Sequence, residues 1–101
     1  MRVIVMFDLP AETSEERSAY ARFRKGLIKE GYIMMQESVY CKLVLSPLAG
    51  ALAKDRIKKI KPSKGIIQAM IITEKQFADI EYILGAPQTM KVEGTDRLVI
   101  F

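Results

Sequence analysis

Five consecutive apolar residues, Val3 to Phe7, are followed at once by Asp8-Leu9-Pro10. A run this short, rich in β-branched side chains, reads as a strand covered on both faces. Pro10 has no N–H with which to continue a central ladder, so the strand ends before it. The fold is therefore organised around one inner strand, with Asp8 at its carboxyl end. Folds that join strands through helical crossovers tend to place functional groups there. An isolated Asp at a strand end is more often a turn residue that caps the following loop.

With 101 residues, 50% hydrophobic and 28% charged, the chain has the size and balance of a single globular domain. No apolar run approaches the length of a membrane span, and no basic and apolar leader with a cleavage site is visible. The single cysteine, Cys41, excludes an internal disulfide, and with six methionines it suits a reducing, cytoplasmic setting. Histidine is absent. That removes Ser-His-Asp and Cys-His nucleophile systems, His-ligated zinc and any His general base. Chemistry, if present, rests on carboxylates, lysine, tyrosine or a metal. A net charge of +4 and a pI near 9.3 permit a polyanionic partner without requiring one.

Thr13 followed by Glu16 predicts a capping box, opening an amphipathic helix that runs to Glu30 and stops at Gly31. Tyr20, Phe23 and Leu27 form its apolar stripe, and Arg17, Arg22, Arg24, Lys25 and Lys29 gather on the opposite side. Tyr32 to Met35 predicts a short strand, Gln36-Glu37-Ser38 a bend, and Val39 to Leu45 an alternating strand. Ser46-Pro47 predicts the start of a second helix, ending before Pro62. Leu48, Ala49, Leu52, Ala53, Ile57 and Ile60 share its apolar face, and Arg56 projects into that face and snorkels at the sheet edge or marks a helix tilt. Lys54, Arg56, Lys58, Lys59, Lys61 and Lys64 make this the most basic stretch.

Ile66, Ile67, Met70, Ile71 and Ile72 predict a buried strand over Gly65–Thr73. Thr73 with Gln76 is a second capping signature, opening either one short turn over Glu74–Ala78 or a longer helix to Leu84. The alternation of Ile80, Tyr82 and Leu84 favours the short turn followed by a strand. The expected architecture is α+β: a ferredoxin-like βαββαβ unit with an antiparallel sheet and both helices on one face. One domain covers 1–101, with a core over 1–84, a loop over 85–96 and a terminal strand over 97–101. Ile-rich strands imply that the second sheet face is covered too. A second copy of the chain is the simplest cover, giving a homodimer by sheet-face packing with the terminal strand added to an edge.

The opening Met1-Arg-Val-Ile-Val-Met-Phe-Asp-Leu-Pro10, then Glu15-Glu-Arg17, then Gly31 to Ser38-Val-Tyr40, resembles the CRISPR-associated spacer-acquisition family Cas-two. Ile72-Thr-Glu-Lys-Gln-Phe77 and Arg97-Leu-Val-Ile-Phe101 are similar to the branch that accompanies Cas-nine in type II systems. The resemblance spans essentially the whole chain. It implies a ferredoxin-like homodimer, its dimer strand including Leu98, Val99, Ile100 and Phe101. It also implies a place between two dimers of the CRISPR integrase, Cas-one, with duplex prespacer DNA across the basic surface. Some relatives are described as Mg²⁺-dependent endonucleases acting on single-stranded RNA or double-stranded DNA. By that likeness Asp8 is the catalytic residue and Mg²⁺ ligand, two copies meeting near the dimer axis.

Two functions follow. A non-catalytic scaffold would bind duplex DNA through Arg17, Arg22, Arg24, Lys25, Lys29, Lys58 and Lys59. Guanidinium forks suit phosphate, and without interleaved aromatics the contact is to the backbone rather than to stacked bases. A solvated charged helix face is the plain alternative for the same residues. A metal-dependent nuclease would rely on Asp8, and one carboxylate per chain is thin for hydrolysis, which usually needs several acidic ligands or two metals. Scaffolding is the favoured expectation. A small-molecule regulatory domain is weaker, since no Gly-rich phosphate loop is present.

Overall fold

The apolar run forms β1 (Arg2–Asp8), and it lies inside the sheet as expected. The structure, a computed structural model, describes residues 1–87. With β2 (Ile33–Gln36), β3 (Val39–Leu43) and β4 (Ile66–Ile72), β1 builds one sheet in the order β2-β3-β1-β4, every pair antiparallel. Three helices complete the chain: α1 (Ser14–Lys29), α2 (Pro47–Ile60) and α3 (Glu74–Ala78). This is the ferredoxin-like order.

Alternation along β1 sends Val3, Val5 and Phe7 into the core beneath α1 and α2, where they are 0%, 0% and 6% exposed. They pack with Phe23 and Leu27 of α1, Ala53 and Ile57 of α2, and Tyr40 of β3. Phe7 sets the geometry: its ring meets Phe23 edge-on at 5.1 Å and stacks on Tyr40 at 5.7 Å. Local signals fix the helix starts. Thr13 accepts from the Glu16 amide while Glu16 accepts back from the Thr13 amide, and Ser46 caps α2 ahead of Pro47.

Four expectations need correction. β4 is a strand but not a buried one, since Ile66 is 61% and Met70 46% exposed. It is a sheet edge, and these side chains point away from the helices while Ile67 and Ile71 pack on the core. Leu48 and Leu52 are exposed rather than packed, because they lie about 100° around the helix from Ala49 and Ala53, which meet the core. Arg56 does not snorkel at the sheet edge: it is exposed and reaches across to Glu30 Oε1 at 3.7 Å.

The fourth concerns residues 80–84, which form no strand. A strand needs an edge to pair with, and no segment of the described residues pairs there. The short helix before them does form, with Thr73 and Gln76 in a reciprocal cap. Most of the expected 85–96 loop and all of the 97–101 strand lie outside the described residues. No helix among those described is long and apolar enough to cross a membrane.

Candidate nucleic-acid interface and the Asp8 strand end

The five cations expected on one arc of α1 are not brought together. Arg17 is tied to its own loop, donating from Nη1 to the Glu12 carbonyl at 2.8 Å and more weakly to that of Ala11. Arg24, seven residues on and so on the same flank, is half-buried. Arg22 turns the other way and lines a groove against the end of α2, with Gly26, Ile60 and Lys61. Lys25 and Lys29 face solvent, one turn apart.

On α2 the expected Lys58 is an ion-pair partner of Asp55 at 3.3 Å, and Lys59 is exposed with no ion pair among the described residues. Lys54, Lys58 and Lys61 line a second groove, between α2 and Ile67 and Ala69 of β4. Lys61 therefore belongs to both grooves and joins the cations of the two helices. Its central place was not legible, because the contact that creates it is tertiary. A Cβ on Gly26 would lie 2.9 Å from Ile60 Cδ1, so the helices approach closely at that point.

Asp8 is exposed at the end of β1, opposite Ile66 in register. The turn into β4 is pressed onto its backbone. Gly65 has φ +109°, and a Cβ there would fall 2.8 Å from the Asp8 carbonyl oxygen. Only glycine fits both the left-handed backbone and that approach. Among the described residues no group of three or more His, Cys, Asp or Glu stands ready for a metal. Mg²⁺ keeps several waters and is usually held by one or two carboxylates, so the exposed Asp8 would supply one ligand of such a shell.

Other titrating side chains offer little. Burial pushes the Cys41 thiol up, and burial followed by the Glu30 charge pushes the Tyr32 phenol up to about 12. With no histidine in the chain, no imidazole serves as a base at neutral pH.

A family model described as CRISPR associated protein Cas2 matches residues 1–80. The chain belongs to the Cas2 family. A Cas2 from Ligilactobacillus salivarius is 48% identical over 100 residues, covering 99% of both chains. Relatives from Streptococcus mutans and Treponema denticola are 48% and 47% identical, covering 98% and 99% of this chain and 91% and 99% of their own. Each of the three is named CRISPR-associated endoribonuclease Cas2. The crystal structure of Streptococcus pyogenes Cas2 at pH 6.5 superposes with a TM-score of 0.64 at 24% identity, covering 84% of this chain and 100% of that one. This last likeness supports the Cas2 fold alone. The function of the chain is CRISPR-associated, and the sequence resemblance to Cas2 is borne out at the level of the family.

Proposed function

We propose that two copies assemble through their open sheet faces into a scaffold for spacer acquisition, carrying duplex DNA on the helix layers and bridging dimers of the integrase Cas-one. One observation carries this reading: the molecule divides its surface. Arg22, Lys25, Lys29, Lys59, Lys61 and Lys64 lie on the helix side without ion-pair partners among the described residues. The sheet face turned away from them exposes Ile33, Leu43, Ile66 and Met70. Cations without partners suit phosphate, and an uncovered apolar sheet suits a second copy.

The residues after α3 fit the same assembly. Asp79 and Glu81 alternate with Ile80, Tyr82 and Leu84, a strand pattern without a pairing edge among the described residues of its own chain. The free edge of β4 in a second copy offers one, and Lys54 lines the groove beside that edge to meet a carboxylate. Leu98, Val99, Ile100 and Phe101 would extend the exchanged contact.

A second reading is a metal-dependent nuclease, favoured by the endoribonuclease name of the relatives. It makes Asp8 the catalytic metal ligand, with Mg²⁺ ligands completed from outside one chain. Asp8→Ala separates the two. The scaffold reading expects this variant to dimerise, bind duplex DNA and support integrase-dependent integration. A folded, dimeric, DNA-binding Asp8→Ala protein that supports no integration would overturn it, and loss of metal-dependent cleavage would establish the nuclease.

A further inference from the structure

We infer that Arg22 of α1 and Lys61 at the end of α2 hold one nucleic-acid phosphate between them, in a groove that the two helices leave open. The inference deepens the scaffold reading and rests on it only for the source of that phosphate, a duplex DNA. The helices run antiparallel, with Gly26 against Ile60 and Glu30 reaching Arg56. That register puts position 64 opposite Arg22, one turn beyond the Gly26 contact. α2 stops short of it: Ile60 is its last residue, Lys61 is extended at ψ 146°, and Pro62 cannot continue the helix. A groove of about 460 Å³, ample for a phosphodiester, opens there, lined from α1 by Arg22 and Gly26 and from the chain leaving α2 by Lys61 and Ser63.

The charge of this groove is uncompensated. Arg22 and Lys61 are the only charged residues lining it, both are exposed, and neither has an ion-pair partner among the described residues. The neighbouring hollows differ. Lys61 also borders the groove against β4, but Asp55 there already answers Lys58 at 3.3 Å. The cleft beside Thr13 sets Glu15 and Glu16 against its one cation, Lys64. The carbonyls that end α2 are complemented by Lys58 and Lys59 in its last turn. A guanidinium fork from one side and a compact ammonium from the other match the free oxygens of a phosphodiester. Lys25 and Lys29 continue the positive strip along α1 without ion-pair partners among the described residues. That strip suits a chain of repeated anions rather than a lone carboxylate.

The test is the salt dependence of duplex DNA binding by the full-length protein, comparing wild type with Arg22→Gln, Lys61→Gln and the double variant. Both residues are exposed and outside the core, so the fold is retained, and melting curves check it. A phosphate held from both sides keeps one cation in each single variant. Each single variant should therefore barely move the slope of log K against log salt, and the double variant should flatten it by about 0.9 for each copy of the chain on the duplex. Two equal steps from the single variants that sum to the double would put the cations on separate phosphates and overturn the seat. A double variant with the wild-type slope overturns it too. If duplex DNA does not bind but single-stranded RNA gives the pattern expected here, the seat stands and the scaffold reading fails. Binding of neither nucleic acid overturns both.

Discussion

The helix layer and the open face of the sheet share β1, whose alternate residues serve one or the other, yet they are finished to different degrees. Beneath the helices, Val3, Val5, Phe7, Phe23, Leu27 and Tyr40 close into a core, and the outer side of the helices is charged. On the other face Ile4 and Cys41 are buried, but Ile33, Leu43, Ile66 and Met70 stay in solvent. Among the described residues, what covers that face is slight. α3 leans over it, held by Glu74, which accepts from Arg2 at 3.1 to 3.3 Å and ion-pairs with the Met1 amine at 3.2 Å. Arg2 in turn stacks 4.0 Å from the centroid of Phe77. Burial in this chain therefore tracks which helix happens to lie above a residue, and an apolar sequence is no guarantee of cover.

A charge placed on the unfinished face should have the largest effect. Met70→Glu should cost little in a single chain, since Met70 is 46% exposed, but would bury an unpaired carboxylate in each half of the proposed dimer. An uncompensated buried charge costs about 3–5 kcal/mol, so the dimer dissociation constant should rise by ~10² or more in sedimentation measurements. An unchanged dimer would move the interface elsewhere. Arg22→Gln, Lys25→Gln and Lys29→Gln together probe the finished face. They should leave dimerisation alone and flatten the dependence of log K for duplex DNA on log salt, by about 0.9 for each phosphate no longer neutralised.

The smallest effect concerns the Glu74 latch. Its hydrogen bonds with Arg2 hold the Glu74 carboxyl below the usual carboxylate range. A carboxyl depressed in the folded state stabilises fully above its unfolded value, and that share is lost as pH falls through the folded one. Glu74→Gln should therefore lower the melting temperature slightly at neutral pH and make its acid-side decline shallower. Melting curves between neutral and strongly acid pH check this, and identical profiles would mean that the latch contributes nothing.

Much of the fold was legible because its signals are local. Thr13 with Glu16, Thr73 with Gln76 and Ser46 with Pro47 each mark a helix start within four residues, and all three form. The alternation of Val39 to Leu43 likewise makes a strand from neighbours alone. It does not tell the two faces apart: Tyr40 and Val44 enter the core while Leu43 and Leu45 stay exposed. What failed depended on distant chain. Leu48 and Leu52 belong to the same apolar pattern as Ala49 and Ala53, yet the alanines pack on the core and the leucines, turned about 100° from them on the helix, stay exposed. The cations of α1 follow the same rule. A wheel placed Arg17 and Arg22 in one arc, whereas the structure ties the first to the Glu12 carbonyl and the second to the groove with Lys61. For Asp8, sequence located the strand end but not the turn pressed against it, because Gly65 arrives from the far end of α2.

The placement of β1 has a consequence for how the molecule is made. Lys42 and Ile71, the residues opposite Val3 on its two sides, follow it by 39 and 68 positions. At synthesis rates of about 5–20 residues per second, the inner strand waits roughly 3–14 s for its second neighbour. Throughout that interval its apolar side chains have only one shield close in sequence, the segment that becomes α1, whose capping box lets it begin to wind without distant contacts. Phe23 and Leu27 can then settle on Phe7 while β4 is still unsynthesised. The early winding of α1 would thus shield a half-paired strand before its second neighbour exists.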